Sequence, residues 1–430
     1  MNDLEKDTDE KLKLYRYLME IRSRSNSIVG LRKSQSIRSP KPEMVHSEVS
    51  HSKRQNFHPA QKKNGYIEHA NQFEDKDEVV LVPTISRRSY NKILSFIEKI
   101  FIHLISIFLF LPLVRPNFAD PGCSCERQQT TDTVVMVRPR TFQFNTETAD
   151  SNSFQNNINV TNEDALREWI PAVAKLRSHN IRVIVIPSRD DVETPDAIFP
   201  DWFSVHTTDN VRGRVLFLYP MFARNRRLEL QPNKLITTLK RERIKINEIN
   251  DLSPYVEQSM FLEGKGSLVL DRITKTVYAT ISPRTDPRLV NIFAEKLNYT
   301  PVLFRSYDDN NELIYHTDVV LCIGTKFAVI SPDSIPSQTE LATILGNLKA
   351  SGREIITITK KQVNNYAGNI IELKSTCGQP KIVMSCVAYN SYTPEQLTTL
   401  SKYGEFIVLD IGIIEEVGGG SCHCIVTEIF

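Results

Sequence analysis

From about residue 130 onward, short apolar β-rich runs alternate with longer windows whose apolar residues recur every three or four positions. The short runs read as buried strands and the longer spacing as amphipathic helices. The pattern predicts strands over 133–137, 181–186, 214–219, 267–270 paired with 276–280, and 319–323 with 327–330. It predicts helices over 162–179, 225–241, 287–297, 338–350 and 394–402. In the first of these, Leu166, Trp169, Ile170, Val173 and Leu176 form the apolar stripe. A last apolar stretch surrounds Ile413. No strict repeat is visible, yet recurring strand-pair-plus-helix units fit an α/β domain of several similar sectors better than a simple open sheet.

The upstream third reads differently. Residues 1–90 are rich in Lys, Arg, Glu, Ser, Asn and Gln with few long apolar runs, the signature of a disordered polar tail. Its Arg/Ser patches at Arg22–Ser25 and Ser36–Ser39 read as solvated and carry no assigned function. Residues 93–114 form the strongest hydrophobic run, about 22 residues, long enough for one membrane crossing although Glu98, Lys99 and His103 lie within it. Arg87, Arg88 and Lys92 precede the run and Arg115 follows it. A single-pass anchor would therefore keep the N-terminus in the cytoplasm and put the large domain across the membrane. The competing readings are an interfacial helix or a wrongly joined upstream segment, and without an anchor the protein is expected in the cytoplasm. The prolines at 112, 116 and 121 mark 115–130 as linker, leaving 131–430 as the catalytic domain.

Composition narrows the chemistry by exclusion. A net charge of +2 over 430 residues names no nucleic-acid or other polyionic partner. Seven cysteines spread over this length are too sparse for a disulfide scaffold. The cluster Cys422-His423-Cys424 has donor types that suit zinc, but a four-ligand cage needs a second cluster and there is no Cys-x-x-Cys. A nucleophilic thiol is the better reading. Gly418-Gly419-Gly420 allows positive φ and close approach, while Ile425, Val426, Ile429 and Phe430 anchor the tail behind Cys424.

Polar loops supply candidate partners. The segment 194–202 carries Asp196 and Asp201 among apolar residues, and 261–267 places Glu263 at a glycine turn before a strand. Phosphate binding is disfavoured there by the missing Lys-Ser/Thr ending. His316 and Asp318 precede the strand over 319–323, where a spacing of two puts both on one face. A thiol, an imidazole and carboxylates together suit attack at a trigonal carbon bearing nitrogen, with the imidazole moving protons and the carboxylates gripping N–H groups. Spacing alone does not bring them together in space.

Motifs in order along 133–430 do point to a family. They are Met136-Val137-Arg138-Pro139, Phe144-Asn145-Thr146-Glu147-Thr148-Ala149, Asn152-Ser153-Phe154-Gln155, Thr194-Pro195-Asp196-Ala197-Ile198-Phe199-Pro200, and Tyr219-Pro220-Met221 with Asn225-Arg226-Arg227-Leu228-Glu229. Phe261-Leu262-Glu263-Gly264, Ser282-Pro283-Arg284-Thr285, Ile314-Tyr315-His316-Thr317, Tyr366-Ala367-Gly368-Asn369 and the final glycine-cysteine segment follow. This series resembles the amidinotransferase and guanidino-modifying superfamily, most closely its citrulline-utilisation hydrolases. The resemblance implies a five-sector pseudo-symmetric α/β-propeller of the pentein type with the active site in its central channel. It implies Cys424 as nucleophile, His316 as general acid and base, and Glu263 as the carboxylate orienting that imidazole. Asp196, Asp201 and Asp318 fall at substrate-binding positions, and Arg227 and Arg284 at those of α-carboxylate clamps.

The implied reaction hydrolyses the ureido group of citrulline to ornithine, carbon dioxide and ammonia, with a small amino acid as partner and neither metal nor organic cofactor. The chain departs from the pattern at His423, where Arg is usual, at a shortened Pro200-Asp201-Trp202, and at Lys265 and Asp318 in place of Thr and Asn. An added carboxylate favours a cationic guanidinium, so arginine or methylarginine hydrolysis is the competing activity. A membrane-anchored binding protein that kept the fold without catalysis is the contrasting class.

Overall fold

The computed structural model describes residues 128–208 and 213–430. The expected polar tail, the hydrophobic run over 93–114 and residues 115–127 of the linker lie outside them. Among the described residues no helix is long and apolar enough to cross a membrane. The packed domain already includes Gln129, placed in the linker by sequence: it is buried and donates to the carbonyls of Leu270 and Ile323 at 2.8 and 3.1 Å.

The fold of the described residues is mixed α/β, built from five three-stranded sheets of one topology. The first joins β1 (Thr133–Arg138), β2 (Arg182–Pro187) and the last strand, β15 (Thr427–Glu428). The second holds β3 (Phe203–Thr207), β4 (Arg214–Leu218) and β5 (Ile246–Asp251); the third holds β6 (Val269–Asp271), β7 (Thr276–Thr280) and β8 (Thr300–Phe304). The fourth comprises β9 (Leu321–Ile323), β10 (Phe327–Ile330) and β11 (Glu354–Thr357). The fifth comprises β12 (Ile371–Lys374), β13 (Pro380–Ser385) and β14 (Glu405–Leu409). In every sheet the central strand pairs antiparallel with one neighbour and parallel with the other. The parallel pair is joined each time through helix, because two parallel strands need a long crossover.

Those crossovers carry the helices expected from periodicity. Asn162–Ser178 starts at a capping box between Thr161 and Asp164 and buries Trp169, Val173 and Leu176 against Val134, Met136 and Val183. Ile170, expected in the same stripe, is instead exposed. Pro287–Leu297 begins after the N-cap Asp286 and stops at Asn298, whose φ is 56°. Gln338–Ala350 follows the N-cap Ser337. The single helix expected over 225–241 is two, Arg224–Arg227 and Pro232–Arg241, because Pro232 has no N–H to continue the first and suits the first turn of the second.

One buried ion pair ties the third sheet to the fourth. Arg353, just before β11, binds Asp271 at the end of β6 through two bonds of 2.6 and 3.0 Å, and its Nε donates to the Gly324 carbonyl at 2.7 Å. Breaking one side of such a pair leaves the other charge buried and alone. Arg353→Met should therefore lower unfolding free energy by roughly 3–5 kcal/mol, measured by urea denaturation; a change under about 1 kcal/mol would show that the pair does not hold the two sheets together.

Candidate active site

Each sheet's antiparallel outer strand is entered through a loop that carries a polar side chain inward. Asp201 lies two residues before β3, Glu263 and Lys265 precede β6, His316 and Asp318 precede β9, Asn369 precedes β12, and Cys424 precedes β15. The same topological position thus supplies one part of a shared centre from every sheet. Local backbone differs from expectation at two of them. Gly264–Ser267 is a helical turn, so the strand starts at Val269. Thr317–Val319 is also a helical turn, so His316 and Asp318 meet the centre through a bend, and the strand expected from 319 starts at Leu321.

Two glycines allow the close packing. Gly264 sits at φ +43°, and a Cβ there would lie 2.3 Å from the Asp201 carbonyl oxygen. A Cβ on Gly266 would lie 2.3 Å from His316 Nδ1, so the imidazole rests on bare backbone.

Glu263 is the hub and is fully buried. Its Oε2 accepts from His316 Nε2 at 2.9 Å, Arg226 at 3.3 Å and Arg284 at 3.4 Å, while Oε1 accepts the Phe222 N–H at 3.0 Å. Burial alone would raise its pKa, but Arg284, Arg226 and His316 outweigh burial and hold the carboxyl well below the usual range. An ionised carboxylate only accepts, so the imidazole carries its proton on Nε2 and its ring is fixed. Arg226 also binds Glu229 at 3.0 Å, the Phe199 carbonyl at 2.6 Å and Asp201 Oδ2 at 3.3 Å. Asp201 Oδ1 accepts from Lys265 Nζ at 2.9 Å, and Lys265 donates again to the Cys424 carbonyl at 2.7 Å. Lys265 and Arg226 overcome burial to keep Asp201 ionised.

The cysteine lies at the end of this chain of charges. Cys424 Sγ is 3.1 Å from Asn369 Nδ2 and 3.4 Å from Asp318 Oδ2. A Cβ on Gly420 would be 3.2 Å from the sulfur, and Gly419 turns the chain at φ +66°. Burial and then Asp318 push the thiol well above its ordinary pKa, against Lys265. Asp318 is raised to about 6 by burial, opposed by His316 and Lys265, and its Oδ1 is buried with no hydrogen-bond partner. His423 approaches the other oxygen of Asp318 at 3.8 Å; burial and Lys265 lower its pKa to about 3, so the ring is neutral. Cys422 is fully buried in the apolar cluster that also holds Phe199 and Val417.

The remaining expected site residues are distributed as follows. Asp196 is buried, accepts from Asn145 at 2.7 Å and Thr148 at 3.1 Å through Oδ2, and leaves Oδ1 unpartnered. Arg284 is committed to Ser151, the Thr148 carbonyl and Glu263, and stacks over Tyr315. Arg227 stays half-buried, donating to the carbonyls of Met221 and Phe222 and packing on Phe261; its neighbour Arg226 enters the charged centre instead. Asp201 has both oxygens occupied by Arg226 and Lys265. Sequence reasoning gave no role to Arg226 or Asn369, although both stand in the motifs quoted above. The Gly-Asn pair was the available signal: a Cβ on Gly368 would sit 2.0 Å from the Val319 carbonyl oxygen, so this loop is pressed onto the Asp318 turn.

A second buried histidine has the wrong polarity for catalysis. Arg272 donates to His206 Nδ1 at 3.0 Å, which leaves Nε2 as a donor to Ser204 Oγ at 2.6 Å and gives that serine no base.

The pattern of N,N dimethylarginine dimethylhydrolases of the eukaryotic type matches residues 138–430. No curated protein matches the chain. Among solved structures, the product-bound N-terminal domain of ArgZ, an arginine dihydrolase from the ornithine-ammonia cycle in cyanobacteria, aligns with a TM-score of 0.54 at 15% identity, over 69% of this chain and 97% of that one. AgrE bound to L-arginine aligns with a TM-score of 0.53 at 14% identity over 69% of this chain, which spans 40% of the AgrE chain. At these identities the two share the fold. By its sequence pattern the chain belongs to the eukaryotic N,N dimethylarginine dimethylhydrolase family of the amidinotransferase superfamily, hydrolases acting on carbon–nitrogen bonds.

Proposed function

We propose that residues 131–430 form a five-sector propeller that hydrolyses the guanidino group of an arginine-like amino acid, with N-methylated arginine as the preferred substrate. The observation that carries this reading is the pair of buried, unpartnered carboxylate oxygens, Asp196 Oδ1 and Asp318 Oδ1, in a centre also holding Glu263 and Asp201. A buried carboxylate oxygen without a donor is costly, and a guanidinium brings both the N–H donors and the positive charge that offset this. Citrulline, favoured by the sequence motifs, is neutral at its ureido end and leaves the charge of Asp318 uncompensated.

The cation also answers the chemistry of the nucleophile. A thiol held high by burial and Asp318 needs an adjacent positive charge to ionise, and a bound guanidinium supplies it. The Cys424 thiolate attacks the guanidino carbon. The proton given up by the thiol is carried by His316 as an imidazolium that Glu263 stabilises, and the leaving amine takes it as the C–N bond breaks. A covalent S-linked intermediate remains. Water then adds to its carbon as His316 takes a proton, and the C–S bond breaks to return the thiolate and a ureido product. Arg227, half-exposed beside Phe222, is assigned to the α-carboxylate; Arg284 holds Glu263 and the Ser151 wall in place. The run over 93–114 is proposed to attach this domain to a membrane.

Three outcomes test the reading. Incubation with asymmetric dimethylarginine, arginine and citrulline should release dimethylamine from the first and ammonia from the second and leave citrulline unchanged; ornithine formed from citrulline would overturn the substrate class. Cys424→Ser should abolish turnover, whereas Cys422→Ser should retain most of it, and the reverse would displace the nucleophile. Asp318 binds a cation only when ionised, and its pKa is raised to about 6. kcat/KM should therefore fall as pH drops through about 6, and Asp318→Asn should lose that limb while raising KM at least tenfold; an unchanged profile would remove Asp318 from recognition.

A further inference from the structure

Asn369 occupies in the fifth sheet the position from which the other four sheets send Asp201, Glu263, His316 and Cys424 into the centre. Its carboxamide is buried, and every hydrogen-bonding direction is used. Oδ1 accepts the backbone N–H groups of His423 at 3.1 Å and Cys424 at 3.3 Å. Two N–H donors pointing at one atom settle which end of the amide is oxygen. Nδ2 therefore faces the other way, with one hydrogen to the Asp318 carbonyl at 3.2 Å and one to Cys424 Sγ at 3.1 Å. The sulfur is thus offered a hydrogen bond that a thiol accepts weakly and a thiolate strongly.

We propose that Asn369 is the positioning residue of the nucleophile: it grips the peptide of Cys424 from one side and, from the other, offers the sulfur a hydrogen bond that favours its charged, attacking form. The neighbours make such a donor necessary. Around the sulfur stand Asp318 from the turn before β9, Lys265 and Asp201 from the turns before β6 and β3, neutral His423, and the phenols Tyr315 and Tyr366. Lys265 is the one cation among them, and it is spent on Asp201 and on the Cys424 carbonyl rather than on the sulfur. Asn369 is the side-chain N–H donor that reaches Sγ, at 3.1 Å, and it acts beside a backbone hydrogen bond from Ser421. Gly368 presses the loop against Val319, which fixes the amide relative to Asp318 as well.

The inference rests on Cys424 being the nucleophile, so its test reads the thiol and not turnover. In the full-length protein, the rate of Cys424 alkylation by iodoacetamide is followed against pH by peptide mass spectrometry. Asn369→Asp keeps the oxygen that accepts the two backbone N–H groups and removes the donor to sulfur. It should melt within a few degrees of the wild type yet alkylate at least tenfold more slowly at pH 8, with the ionisation midpoint displaced upward. Asn369→Ser, which restores a hydroxyl donor, should recover part of that loss. Should either variant fail to fold, the wild type still decides: the Asn369 side-chain ¹⁵N resonance should titrate together with Cys424 and stop doing so in Cys424→Ser. A folded Asn369→Asp with an unchanged alkylation profile, or an Asn369 resonance indifferent to Cys424, would overturn the assignment. A responsive thiol in a protein that turns over no guanidino compound would sink the proposed function and leave this inference standing.

Discussion

Burying carboxylates without losing their charge is the constraint on which the centre depends. Glu263, Asp201 and Glu229 are all removed from water, and a bare carboxylate there would take up a proton instead of acting as a base's partner. Arg226 prevents this for Glu263 and Asp201 at once, reaching Glu263, Asp201, Glu229 and the Phe199 carbonyl from a one-turn helix. Burial still pushes Glu229 up to about 8, against the two bonds it accepts from Arg226. The charge that matters is passed inward, from Arg226 to Glu263 and His316, and from Asp201 through Lys265 to the peptide of Cys424.

The repeated sheet topology explains how residues more than 200 positions apart come to share this network. Each sheet repeats the same antiparallel-then-parallel plan, and each plan begins with a loop at the same end of its sheet. A loop residue from one sheet is therefore placed beside the corresponding residues of the others without any long excursion of chain. The cost is that every such loop must pass close to its neighbours. Gly264 and Gly266, one against the Asp201 backbone and the other under the His316 ring, are where that closeness is accommodated.

What could be read from sequence follows the strength of the local signals. The helices Pro287–Leu297 and Gln338–Ala350 were predicted at their observed bounds because Asp286 and Ser337 cap them and their apolar residues keep a steady period. β5 escaped because its run INEIND carries exposed polar residues and lacks the apolar density that marks a buried strand, whereas β3, β8, β11, β12, β13 and β14 went unread although each has apolar residues. Cys424, His316 and Glu263 were named from their motifs, and the ion pairs place His316 against Glu263. Arg226 and Arg227 were not separable by spacing, since adjacent residues of a single helical turn point in different directions and only packing decides which is buried. Asn369 was hidden for another reason: a neutral amide has no charge or reactivity to attract notice until its four partners are seen.

The central claim is that Cys424 forms a bond to the carbon of a cationic guanidino group. The most direct measurement is mass spectrometry of the C-terminal peptide after acid quenching of the protein mixed with asymmetric dimethylarginine. The account predicts a transient adduct on Cys424, the substrate less its dimethylamine, that is absent when citrulline is supplied instead. A protein that releases dimethylamine with no adduct at Cys424, or with the adduct on Cys422, would contradict it.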